Sequence, residues 1–167
     1  MGVHSHRSDS PRVVRIAFVT VSDTRTEATD GAGRAACALV AAAGHTLVDY
    51  RIVRDDAEAI AAHVRALARD DRADLIVTAG GTGITARDTT YEALVGLVDK
   101  RLPGFGELFR SLSYAELGPA AMLSRALAGT IGKTLLFCCP GSESAVCLAL
   151  EKLVLPEAGH LVREARR

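Results

Sequence analysis

Three glycines in four positions, Gly80-Gly81-Thr82-Gly83, end an apolar run and lead into Arg87-Asp88-Thr89-Thr90. A glycine contributes no side-chain packing, so this segment must need bare backbone for a tight turn, close helix packing or a ligand lying on the main chain. One glycine normally serves a strand-to-helix turn. Three of them, with the Thr82 hydroxyl between, fit better to a cradle in which N–H groups at a helix entry hold an anion such as phosphate. Asp88 follows at the expected start of the next helix. It can cap that helix. Thr89 and Thr90 can also do so, which leaves Asp88 open as a ligand for Mg²⁺, a hard ion served by one or two carboxylates plus substrate phosphates. Asp55 has the same two readings, as an N-cap or as a second carboxylate.

Other phosphate and metal motifs fit less well. Gly81-x-Gly83-x-x-Ala86 formally matches the dinucleotide fingerprint. That fingerprint needs a following strand that ends in an acidic residue, and the segment here continues as helix and then "LPGFGELF". A Walker A loop fails because no lysine follows these glycines, and Gly129 is misplaced for Lys133-Thr134. Cys37, Cys138, Cys139 and Cys147 form no C-x-x-C pair, so they read as buried thiols of a cytoplasmic protein rather than as zinc ligands.

The elements that must position these residues are legible from periodicity. "VVRIAFVTV", residues 13–21, reads as a strand buried on both faces. An Ala-rich helix closed by Gly44, a second strand over 45–54 and a helix opened by Asp55-x-x-Glu58 follow. Residues 75–79 make the third strand. A helix is expected near 91–99, then a loop and helix in "RLPGFGELFRSLSYAEL", a strand in "KTLLFC", and one long helix in "AVCLALEKLVLPEAGHLV". Alternating strands and helices with short connections predict an α/β fold, a three-layer α/β/α sandwich around a mainly parallel sheet. Residues 13–167 form one domain in this reading, behind a disordered tail over 1–12.

Ligands of such sheets collect beyond the carboxyl ends of the strands. Ser22-Asp23, Asp55, Gly80 to Gly83 and Pro140-Gly141-Ser142 all follow strands there.

The chain has 167 residues, of which 49% are hydrophobic, enough for a substantial core. Twenty basic and twenty acidic residues cancel, and aromatics make up only 4%. That balance argues against nucleic-acid and anionic-membrane partners. No apolar run approaches bilayer length, and "MGVHSHRSDSPR" lacks the apolar segment of a secretory signal.

Together, "VSDTR", "GGTGITARDTTYEAL", "LPGFGELFR", "AMLSRALAG" and "CPGSESAV" resemble the MoaB/MogA family of molybdenum-cofactor biosynthesis proteins, on its MoaB side. The likeness runs in order through residues 13–162. It implies a molybdopterin-binding fold that self-associates as a trimer or hexamer, and candidate partners among other cofactor-biosynthesis proteins. It also implies transfer of AMP from Mg-ATP to the terminal phosphate of molybdopterin, with release of pyrophosphate. By motif, Gly80, Gly81, Thr82 and Gly83 would hold phosphate or pterin. Asp88 would orient Mg²⁺ and ATP phosphates, assisted by Asp55. Ser22, Asp23 and Asp30 would line the pocket, Pro140, Gly141 and Ser142 would shape its pterin end, and Ser124 and Arg125 would add polar contacts. Arg125 reads equally well as a helix-surface ion pair, and Glu107 as structural or lining. Relatives commonly carry a second proline where this chain has Glu143-Ser144, a change expected to loosen the turn and, if Glu143 faces the pocket, to repel phosphate. A protein that binds pterin without catalysis is the alternative on the same scaffold.

Overall fold

Three of the apolar runs become the buried centre of a six-stranded sheet in the computed structural model, which describes residues 10–167. These are β1 (Arg15–Val21), β3 (Leu75–Ala79) and β6 (Thr134–Cys139). With β2 (Thr46–Val53), β5 (Leu127–Ile131) and β4 (Lys100–Arg101), the order across the sheet is β2-β1-β3-β6-β5-β4. The first four in that order are parallel. β5 runs antiparallel to both β6 and β4.

Alternate residues of each central strand feed opposite cores, as the two-residue period of a strand requires. Ile16, Phe18, Leu75, Val77, Leu135 and Phe137 pack with α1 (Gly31–Ala42), α4 (Pro103–Leu117), α5 (Glu143–Ala149) and α6 (Ala158–Arg166). Ala17, Val19, Ile76 and Leu136 pack on the other side with α2 (Ala57–Arg69) and α3 (Thr90–Val95). The fold is the expected three-layer sandwich. β2 and β3 flank β1 on opposite sides, so the connections leaving β1 and β3 diverge above the sheet and open a crevice there.

Four local expectations change. Asp56, not Asp55, caps α2, its Oδ1 accepting the Ala59 N–H at 2.8 Å. Adjacent aspartates both suit a cap by type, and the chain enters the helix one residue later than the Asp-x-x-Glu spacing suggests. The long C-terminal helix is interrupted: α5 gives way to a π-helical stretch over Leu150–Val154 and a 3₁₀ turn over Leu155–Glu157. Pro156 lacks an N–H and cannot continue the α-helical ladder. The strand in "KTLLFC" has a hairpin partner, β5, joined through Gly132-Lys133, with Gly132 at a φ of 57°. Glycine at the first central position with positive φ suits a two-residue hairpin turn. Finally, Cys138 and Cys139 are buried, whereas Cys37 and Cys147 are only partly so.

Of the tail, residues 1–9 lie outside the described residues, and Pro11 sets its carbonyl against Gly159 of α6. No helix among the described residues is long and apolar enough to cross a membrane. Asp56→Ala should lower stability by about 1 kcal/mol in urea unfolding, and Asp56→Asn should recover most of that loss. An alanine variant as stable as wild type would contradict the cap.

Candidate functional site

β3 ends at Ala79, and the Gly80 N–H donates to the Cys139 carbonyl at 3.1 Å, extending the β3–β6 ladder by one bond. The chain then turns with φ of 111° at Gly80 and 62° at Gly81. Both angles favour glycine. A Cβ on Gly80 would strike the Val21 carbonyl, and one on Gly81 would strike the Thr90 hydroxyl. The Thr90 N–H in turn donates to the Gly81 carbonyl at 3.0 Å. A Cβ on Gly141 would come within 3.0 Å of the Gly80 Cα. Gly80 and Gly141 thus sit where strand-end loops pack backbone on backbone, and Gly81 where the Thr90 side chain closes in, requirements separate from any ligand. Gly83 has an ordinary φ, and a Cβ there would meet the Asp88 carboxylate at 2.7 Å.

Asp88 does not cap α3. The residue before that helix is Thr89, which makes no side-chain cap bond. Asp88 Oδ2 instead closes its own loop, accepting the Thr85 hydroxyl at 2.6 Å and the Thr85 N–H at 2.9 Å. The Thr85 hydroxyl above all holds the carboxyl below the usual carboxylate range, with backbone N–H groups of Thr85 and Gly83 and the charge of Arg125 adding to it. Asp55, released from capping, accepts the Thr89 hydroxyl at 2.8 Å and the Thr89 N–H at 3.3 Å.

A cavity of about 320 Å³ opens above these loops. Gly81, Thr82, Gly83, Asp88, Ser124, Pro140, Gly141 and Ser142 line it. Ser142 caps α5, its Oγ accepting the Ala145 N–H at 3.2 Å. Glu143 points away from the cavity, its Oε2 lying 2.5 Å from where a Cβ on Gly31 would stand. The Ser124 hydroxyl is buried without a hydrogen-bond partner among the described residues. Such an atom is completed by a water or a ligand.

Other expected site residues stand behind this lining. Ser22 Oγ accepts the Thr24 and Arg25 N–H groups and fixes the turn after β1. Asp23 accepts the Asp55 N–H at 3.1 Å and pairs with Arg87 at 2.7 Å. Asp30 caps α1 and is fully enclosed. Burial pushes its carboxyl up, but Thr20, the Gly33 N–H, Tyr50 and Arg25 together hold it below the ordinary range. With those donors around it, Asp30 organises the loop instead of lining the cavity. Arg125 precedes β5 and is not on a helix. It pairs with Glu92 and donates from Nε to the Thr82 carbonyl at 3.1 Å. Glu107 lies outside this cavity, at the wall of a neighbouring one of about 460 Å³.

The far wall comes from residues that had no site role in the sequence reading. Phe109, Ser113 and Leu117 of α4 line it, together with Ala121, Leu123 and, from α5, Leu148. Positions 109, 113 and 117 are four apart, one face of a helix, and that spacing was the available signal. Which face would meet the glycine loop depends on the tertiary fold. The arrangement sets backbone and an ionised carboxylate on one side and an apolar surface on the other. It can take a flat, partly apolar molecule that carries an anionic group. Cys138 and Cys139 are no nucleophiles here, since burial pushes both thiols up, Cys138 to about 11. Among the described residues no group of three His, Cys, Asp or Glu side chains could hold a metal ion by itself.

Comparison with known proteins identifies the family and the fold. Residues 17–160 match the family model described as a probable molybdopterin binding domain. Molybdenum cofactor biosynthesis protein B of Bacillus cereus is 50% identical over 168 residues, covering 100% of this chain and 99% of that protein. A crystal structure of a molybdenum cofactor biosynthesis protein B superposes with a TM-score of 0.91 at 51% identity, over 95% of this chain and 99% of that one. A tungsten cofactor synthesizing protein MoaB from Pyrococcus furiosus superposes at 0.84 with 38% identity, over 95% of this chain and 100% of that one.

Proposed function

Because the chain belongs to the probable molybdopterin-binding domain family of molybdenum cofactor biosynthesis proteins, we propose that it binds molybdopterin in the glycine-loop cavity and adenylylates it. The observation that carries this reading is the composition of one cavity: the Gly81–Thr82–Gly83 backbone and the ionised Asp88 face an apolar wall built on Phe109, Leu117 and Ala121. The terminal phosphate lies on the loop, and the pterin lies toward the apolar wall and Pro140. The Ser124 hydroxyl supplies a hydrogen bond that the protein leaves unmade.

In the reaction, a terminal phosphate oxygen of molybdopterin attacks the α-phosphorus of ATP. The bond from that phosphorus to the bridging oxygen of the β-phosphate breaks, and pyrophosphate leaves. No protein nucleophile is needed, so positioning and charge neutralisation account for the rate. Mg²⁺, when bound, neutralises phosphate charge. Asp88 fits it, as an ionised oxygen donor at the cavity beside a place for phosphate. Asp55 acts one step back, through Thr89.

Binding of pterin without transfer is the second reading. It draws support from Asp55, which Thr89 engages and which does not line the cavity. Wild-type protein mixed with molybdopterin and Mg-ATP should yield adenylylated pterin and pyrophosphate, and Asp88→Ala should lower turnover by at least ~10²-fold. Pterin bound with no product would favour the second reading, and an alanine variant that turns over like wild type would remove Asp88 from the chemistry.

Self-association is part of the same proposal. α4 carries apolar side chains beyond its buried stripe: Leu108 and Tyr114 are 56% and 60% exposed, and Met122 just after the helix is 73% exposed. A helix apolar on most sides is normally covered. Light scattering should give a trimer or a multiple of one, and Leu108→Asp with Met122→Glu should lower the mass. A monomeric wild type would sink this part.

A further inference from the structure

Arg125 stands behind the glycine loop, and its guanidinium divides among three acceptors. Nε donates to the Thr82 carbonyl at 3.1 Å, Nη2 to the Asp88 carbonyl at 3.4 Å, and Nη1 to Glu92. The guanidinium carbon lies over the Tyr91 ring, 5.1 Å from its centroid. The two loop carbonyls belong to the peptide units 82–83 and 88–89. No peptide in the described chain is cis. In a trans peptide the C=O and N–H point in opposite directions. A carbonyl drawn toward Arg125 therefore turns its partner N–H away from it. The Gly83 backbone is thereby set beside the Asp88 carboxylate, whose Oδ2 lies 2.7 Å from where a Cβ on Gly83 would stand, and the Thr89 N–H reaches Asp55 Oδ1 at 3.3 Å.

From this double grip we infer that Arg125 is a positioning residue: it orients the 82–83 and 88–89 peptides and through them sets both acidic side chains of the site. Its importance for turnover rests on the adenylyl-transfer reading above; its grip on the two peptides does not. Arg125 immediately precedes the segment leading to β5, so the loop after β3 is fastened across β6 to the hairpin strand on its far side. Thr85, Asp88 and Thr90 tie the loop within itself, whereas Arg125 reaches both of these peptides with one side chain from outside the loop. The planar fork matters as much as the charge. Lysine carries a point charge on a flexible stem and cannot hold two carbonyls and a carboxylate in one plane.

The test is amide hydrogen exchange by NMR on full-length wild type, Arg125→Lys and Arg125→Met, together with steady-state kinetics for molybdopterin and Mg-ATP. The Gly33 N–H, held by Asp30, reports on the intact fold. Both variants should exchange at Gly83 and Thr89 at least ~10-fold faster than wild type, with Gly33 unchanged. Turnover should fall by ~10- to ~10²-fold while KM for ATP moves less, because misplaced groups cost rate before affinity. Unchanged exchange at both amides would overturn the inference. So would full rescue of exchange and turnover by lysine, which would reduce Arg125 to a charge. If wild type makes no product, the adenylyl-transfer reading fails, and the exchange rates alone decide the role of Arg125. If the methionine variant does not fold, the lysine variant carries the test.

Discussion

Gly80 has no room for a side chain: a Cβ would strike the Val21 carbonyl, and Gly141 stands against its Cα. The three loops at the carboxyl edge of the sheet consequently meet through backbone, with β1, β3 and β6 ending side by side beneath them. Arg25 adds a second tie, reaching both Asp30 in the first loop and the Gly141 carbonyl in the last. Close backbone packing brings Gly81 to Gly83 and Pro140 to Ser142 onto one cavity. Any larger residue at Gly80 would separate the loops and open that cavity.

Charge above the sheet is arranged around the same contact. Asp23 faces Arg87, Asp30 faces Arg25, and Glu92 faces Arg125, so three of the acidic groups near the loops are already paired. Asp88 has no arginine of its own and is satisfied by Thr85, which leaves its carboxylate at the cavity wall as an ionised oxygen donor. At the opposite edge of the sheet, Asp74 receives both Arg15 and Arg166 and binds the C-terminal helix to β1. That cluster serves the scaffold and is remote from the loops. A net charge of zero thus hides a separation between acids paired with arginine and Asp88, which lines the cavity.

Much of the sandwich was legible because the central strands are short, continuous apolar runs, which only a sheet covered on both faces accommodates. The place of the cavity followed from the same pattern, since polar loops had to cluster at the strand ends. Less legible were features decided by a partner distant in sequence. Asp30 reads as a pocket residue until Tyr50 and Thr20 are seen to enclose it. Asp55 and Asp56 are indistinguishable by type, and only the entry of the chain into α2 assigns the cap. The glycines at 80 and 81 suggest a ligand cradle, yet the Val21 carbonyl and the Thr90 hydroxyl already account for them. The break at Pro156 was a local signal, outweighed in the sequence reading by the apolar periodicity around it. The α4 wall needed knowledge of which helix face meets the loop.

The central claim is that molybdopterin lies with its phosphate on the glycine loop beside Asp88. A crystal structure of the protein with molybdopterin bound tests it most directly. The account predicts the terminal phosphate against the Gly81–Thr82–Gly83 backbone, and the pterin toward Phe109, Ala121 and Pro140. A phosphate seated in the neighbouring cavity among Arg101, Arg110 and Glu107, with the glycine loop untouched, would contradict it.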